Sequence, residues 1–216
     1  MAISIPVKDT APIEDFEVAV AFVFDALSDV PEFRSEHGRQ IELRGTLALA
    51  VLAMAAGKCS YREIARYGKR RVETLIPLLG LDRAPSYSTV RRLLIGADKK
   101  ALREVLRRSA TMLVAGHPRL VTSIDGKSMR GSRRNDGRVP HIVTLFEHNL
   151  GITIDAQECQ PGAAELTTGR KLAREAMKAN PQLLVETGDA LYADVKLAEN
   201  TLGQKRHYLF KLKKTS

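Results

Sequence analysis

The hydrophobic periodicity of this chain changes at His117-Pro118, and that switch constrains the fold more than any other feature. Before it, apolar residues recur at the spacing of amphipathic helices; after it, short β-rich runs alternate with Gly, Asn and Asp turn signals. A length of 216 residues accommodates two units, because a domain takes roughly 100–200 residues and small ones take fewer. The division expected from the switch is a helical domain over 1–117 and a mixed α/β domain over 118–216.

Within the first part, Asp15 to Ser28 has helical spacing and Val30-Pro31 ends it. A second, almost wholly apolar helix is expected from about Arg44 to Ala56, with Gly57 where a left-handed cap belongs. Ser60 followed by Glu63 reads as a capping box opening SYREIARYGKRR. There Ile64, Ala65 and Tyr67 face a core while Arg62, Arg66, Lys69, Arg70 and Arg71 stay in solvent. Ser86 or Ser88 caps a short helix with a Val90, Leu93, Leu94 stripe that also carries Arg91 and Arg92, and another helix runs from about Lys99 to Ala115. Helix, connector and basic helix are compatible with a helix-turn-helix reading of DNA, a pattern that many all-helical domains share.

Beyond the switch, strands are expected over Leu120 to Ile124, His141 to Glu147, Gly151 to Glu158, Leu183 to Glu186 and His207 to Leu212, the last amphipathic. Asn149 to Gly151 is short enough for a hairpin. Helices fall at about Ala163 to Ala179 and Ala193 to Leu202, giving the order β, β, β, α, β, α, β.

Charge is unevenly distributed: residues 1–40 carry a net −5, residues 41–120 a net +10 and residues 121–216 a net +4. A cationic middle third suits a polyanion such as DNA, and equally a solvated face of lysine- and arginine-bearing helices. An aromatic content of 5% argues against a lectin or a stacking-rich single-strand binder. Cys59 and Cys159 have no partners at metal-ligand spacing, so both are read as buried thiols in an intracellular, cytoplasmic protein. The apolar run Thr46 to Gly57 is far shorter than the roughly 20 residues of a bilayer span, and the acidic N-terminal segment does not resemble a signal peptide.

The words SIDGKSMRGS (Ser123 to Ser132) and TGDALYAD (Thr187 to Asp194), with FDALSDVPEFR, LALAVLAMAAGKCSYREIARYG and APSYSTVRRLL upstream, resemble the bacterial insertion-sequence DDE transposases of the H-repeat-associated family. The resemblance covers nearly the whole chain from about residue 24. It implies an α+β protein in which a helical, DNA-handling domain precedes an incomplete ribonuclease H-like domain. It also implies DNA cleavage and strand transfer, with Asp125, ending the first strand, and Asp189, after the fourth, as the first two carboxylates. Such residues hold Mg²⁺ or Mn²⁺; a pair of ions about 3.5–4 Å apart stabilises in-line phosphoryl displacement. Taken singly, a strand-end Asp is more often a turn or helix cap, and it is the two together in this strand order that point to metal chemistry.

Lys127, Arg130, Arg133, Arg134 and Arg138 follow Asp125 closely and either neutralise phosphates or form a solvated basic loop. Glu165 matches the acidic position of the family's Asn-Glu-Ile-type word between Ala164 and Leu166; it is read either as orienting water at the metals or as a charge at a helix N-terminus. The third carboxylate of the family lies beyond a lysine-rich word resembling KLKKTS (Lys211 to Ser216), and Glu199 sits on the wrong element to replace it. The expectation is therefore a C-terminally truncated, inactive transposase whose partners are double-stranded DNA at the element's terminal repeats, with homo-oligomers or mixed oligomers with full-length transposase. The alternative is a DNA-binding module that competes with the full-length enzyme; no membrane partner is expected.

Overall fold

The computed structural model describes residues 16–160, 162 and 164–212; the acidic segment up to residue 15, the expected helix start at Ala163 and the end of the lysine-rich word (213–216) lie outside them. The described residues form two compact units, 16–105 and 106–212, and the division falls inside a helix.

The first unit is helical. It contains α1 (Phe16–Ala26), α2 (Leu43–Ala55), α3 (Tyr61–Lys69), α4 (Leu75–Leu78) and α5 (Tyr87–Gly96), and α6 (Lys99–Val114) begins in it. Local chemistry sets the ends. Gly57 takes φ 75° after α2, where the amide of Lys58 donates to the Ala53 carbonyl and that of Gly57 to Met54, the paired bonds of a Schellman cap. At α3 the Ser60 hydroxyl accepts from the Glu63 amide while the Glu63 carboxylate accepts from the Ser60 amide, so the capping box is complete. Ser86, not Ser88, caps α5. Leu47, Leu49, Leu75, Ile76, Leu79, Val90 and Leu93 are buried together, each burial contributing ~1.5–3 kcal/mol. The one-turn helix α4 was not anticipated: four residues, LIPL, give too short a run for periodicity to register, and burial of Leu75 and Ile76 holds it in place.

The second unit is built on one mixed sheet: β1 (Leu120–Ser128), β2 (His141–Glu147), β3 (Ile152–Glu158), β4 (Leu183–Gly188) and β5 (His207–Phe210). Their order across the sheet is β3-β2-β1-β4-β5, with the β3–β2 and β2–β1 pairs antiparallel and the β1–β4 and β4–β5 pairs parallel. The helices are α7 (Glu165–Ala179), packed on β1, β2 and β3, and α8 (Val195–Gly203), packed on β5 and α7. Gly151 at φ 69° turns the β2–β3 hairpin. Strand alternation puts Leu120, Thr122 and Ile124 of β1 into a core with Val143, Leu145, Ile154, Leu172, Ala176 and Leu183.

Several sequence expectations need correction. β1 runs on to Ser128, so Asp125 lies inside the strand; antiparallel pairing with β2 sustains it after pairing with β4 has ended. β5 stops at Phe210, and its Tyr208 and Leu209 are exposed, so the amphipathic alternation does not produce a buried face. Neither cysteine is fully buried: Cys59 is exposed in the turn before α3 and Cys159 is half-buried after β3, because both lie just outside elements and not on their core faces. Among the described residues no helix is long and apolar enough to cross a membrane.

Candidate active site

The parallel pairing of β1 with β4 brings remote residues together. Ser123 pairs with Thr187 and Ile124 with Gly188, so Asp125 and Asp189 each stand one residue beyond the last pair, on strands roughly 4.8 Å apart. Both are exposed. Asp189 Oδ1 accepts from the Leu191 amide at 2.9 Å, which shapes the turn leaving β4. The Asp125 carboxylate lies 3.5 Å from Lys127 Nζ, and with side chains 58% and 80% exposed this pair is too well solvated to hold either group in place.

Glu165 reaches the same end of the sheet from the first turn of α7. Its Oε2 is 2.6 Å from His141 Nε2, and its Oε1 accepts from the Tyr192 hydroxyl at 2.9 Å. Behind His141, Nδ1 lies 3.0 Å from Ser128 Oγ across the β1–β2 pair. A carboxylate only accepts, so His141 donates through Nε2–H; in the neutral ring, Ser128 then donates to Nδ1. The Glu165 carboxyl also sits against the α-carbon of Gly126, where any Cβ would collide with it. Burial, then the hydrogen bond and charge of Glu165, and then the charges of Asp125 and Asp189, push the Tyr192 hydroxyl far above the ordinary phenol range. Tyr192 is therefore a permanent donor, and three carboxylates act on one hydroxyl.

Asp125 and Asp189 offer hard oxygen donors of the kind Mg²⁺ and Mn²⁺ take, exposed where water or phosphate can complete the shell. Among the described residues, however, no group of three or more His, Cys, Asp or Glu is arranged to hold a metal, and both Glu165 oxygens already accept hydrogen bonds.

The basic residues divide by what they touch. Arg134 forms a two-pronged bond to Glu158 at 2.6 and 2.8 Å, so its charge is neutralised within the protein. Arg138 is likewise tied to Asp136, and Arg133 donates to the Gly137 carbonyl. Arg130 is exposed in a 3₁₀ turn after β1. On the helical unit Arg66, Lys69 and Arg70 of α3 and its C-cap are exposed, Arg62 lies 5.4 Å from the Tyr87 ring, and exposed Arg91 and Arg92 follow on α5, against which α3 packs. Sequence reasoning missed His141, Tyr192 and Ser128. The signal for Tyr192 was within TGDALYAD, while His141 was visible only as the first residue of a strand.

The final residue of that word, Asp194, has a structural task. It caps α8 by accepting from the Leu197 amide and takes a two-pronged bond from Arg170 of α7, both prongs 2.6 Å.

Residues 24–109 match the family described as DDE_Tnp_1-associated. Two curated proteins, from Escherichia coli O157:H7 and strain K12 and both named "Putative transposase YncI", are 24% identical over 157 residues, or 69% of this chain. The aligned region spans 39% and 62% of their respective lengths, so the chain covers less than two thirds of either. A solved structure, the cryo-EM structure of piggyBac transposase synaptic complex with hairpin DNA, aligns over 89% of this chain and 49% of that one at 12% identity. With a TM-score of 0.43, that likeness is slight. The match of residues 24–109 to the DDE_Tnp_1-associated family, with the two transposase relatives, supports a DDE-type transposase family for this chain.

Proposed function

We propose that this chain is the DNA-handling and metal-binding part of an insertion-sequence transposase, with residues 118–216 belonging to a ribonuclease H-like domain and Asp125 and Asp189 as its cation ligands. The observation that carries the reading is the β1–β4 register, which puts two aspartates 64 positions apart in sequence at adjacent points of neighbouring strands. The sheet, an antiparallel β3-β2-β1 run continued by parallel β4 and β5, supports the fold assignment. A divalent cation held there supplies charge stabilisation for in-line displacement at a DNA phosphate. Asp125 and Asp189 would hold their oxygens toward it, and Lys127 and Arg130 would meet phosphate oxygens nearby. Exposed Arg62, Arg66, Lys69, Arg70, Arg91 and Arg92 track the backbone of duplex DNA, the terminal repeats being the expected substrate. Arg133 and Arg134 contribute less, since both bond within the chain.

The same exposed basic face supports a second reading, in which the chain occupies element ends without cutting them and competes or co-assembles with a longer transposase. Two measurements test the proposal. Mn²⁺ should bind the purified chain and lose most of its affinity in Asp125→Asn and Asp189→Asn; unchanged affinity in both refutes the site. Binding to duplex DNA should weaken steeply with salt, and Arg91→Glu with Arg92→Glu should flatten the log–log slope by about 2, one unit per phosphate contact. An unaltered slope removes α5 from the interface. Mn²⁺-dependent nicking of terminal-repeat DNA, abolished by Asp125→Asn, separates the first reading from the second.

A further inference from the structure

We propose that the cavity between the 33–41 segment and α5 is a nucleotide site, in which Phe33 stacks a base while Arg83 and Arg92 hold its phosphate; this rests on the reading of the helical unit as DNA-handling. The cavity measures about 580 Å³, a size that encloses small ligands. Thr89, Arg92, Leu93 and Gly96 fall at helical positions i, i+3, i+4 and i+7, so a single face of α5 meets the segment. The first three line the cavity, and Phe33 lies against the α-carbon of Gly96, where any Cβ would strike its ring. Backed in this way, the ring is still 45% exposed and lines the cavity, which is the form of a stacking platform.

The opposite wall is built before any ligand arrives. Arg34 Nη1 donates to the carbonyls of Ile41 at 2.8 Å and Gly38 at 3.2 Å, while Nε and Nη2 bond Glu32 at 2.8 and 2.6 Å. That arginine is consumed in shaping the segment, and it neutralises Glu32 as it does so. No Asp or Glu lines the cavity. Arg83 and Arg92 line it, are exposed, and form no ion pair among the described residues; the one bond Arg92 makes is a long one, 3.4 Å from Nε to the Ser88 carbonyl. Guanidinium groups left uncompensated in this way match the planar, two-pronged geometry of a phosphate. Gln40 and Thr89 add groups that hydrogen-bond a base edge. Cations alone select any anion and a ring alone any flat apolar group; together in one cavity they select a ligand that joins the two. A nucleotide does so, whether as an unpaired residue of DNA or as a free mononucleotide.

The experiment compares three probes on the full chain by fluorescence anisotropy: a labelled blunt duplex, the same duplex with one unpaired nucleotide at its end, and free dAMP as competitor. The unpaired nucleotide should tighten binding about tenfold, the worth of one stacked base. Phe33→Leu and Arg83→Gln should each erase most of that gain, and Phe33→Tyr, which keeps the ring, should retain it; melting temperature is the fold control. If dAMP binds and both substitutions weaken it, yet the unpaired nucleotide gives no gain, the site stands and its occupant is a free nucleotide. A gain that survives both substitutions refutes the cavity. So does the absence of both dAMP binding and any gain while the blunt duplex still binds with a steep salt dependence, and the DNA reading of α5 then stands. No binding of any of the three probes sinks both.

Discussion

Glu186 sits in the middle of β4, fully buried, and replacing it with glutamine should stabilise the second unit in a strongly pH-dependent way. Its Oε2 is 3.1 Å from the Thr201 hydroxyl, which also lies 2.9 Å from the Leu197 carbonyl, while Oε1 has no partner. One hydroxyl hydrogen serves only one acceptor. A protonated Glu186 resolves the conflict by donating to Thr201, whose own hydrogen then goes to Leu197. Burial, opposed by the Thr201 contact, raises the carboxyl from 4.5 to about 7. Because the folded value is the higher, stability is fully present below pH 4.5 and is lost as pH rises toward and through 7. A shift of that size corresponds to about 3 kcal/mol once the group is ionised in both states, an order-of-magnitude figure. Urea unfolding of the parent and Glu186→Gln from about pH 4.5 to 8.5 measures it directly. The stability difference should grow in favour of the variant across that range and level off above about pH 8. A difference that stays flat from about pH 5 to 8 would refute the reasoning, whatever its absolute size.

Substitutions at two further positions probe the same unit. Gly169→Ala should destabilise by ~1–3 kcal/mol despite alanine's better helix propensity, because the new methyl meets the Tyr192 ring and Ile124 in a filled core; calorimetric melting checks this. Asp194→Ala should cost ~1 kcal/mol as a lost helix cap, whereas Asp194→Asn keeps the cap and loses only the charged fork to Arg170. That fork, with smaller help from backbone amides, holds the Asp194 carboxyl below 3.8, so its stabilisation is present above that pH and fades as pH falls further. Unfolding midpoints at about pH 7 and pH 3 for both variants should show the Asn effect shrinking in acid.

Local patterns carried much of the fold. Ser60 with Glu63, Gly57 and Ser86 announce their helix ends because capping acts within four residues, and alternation in Leu120 to Ile124 marks a core strand because side chains switch faces at every residue. Patterns this local also let the words around Asp125 and Asp189 nominate two carboxylates. What they could not decide was distance in space. Whether Asp125 and Asp189 meet depends on β1 and β4 pairing in one register and not the adjacent one, which is set by packing across the whole sheet. The hydrogen-bonded setting of Glu165 is of the same kind. His141, Tyr192 and Gly126 come from three separate segments, and nothing in any one segment specifies the other two. The kinds of chemistry open to this chain were determined by its sequence alone, because residue identity and short-range periodicity are written there directly. Tertiary structure chose the partners, because hydrogen bonds and burial act over ångströms and are indifferent to separation along the chain.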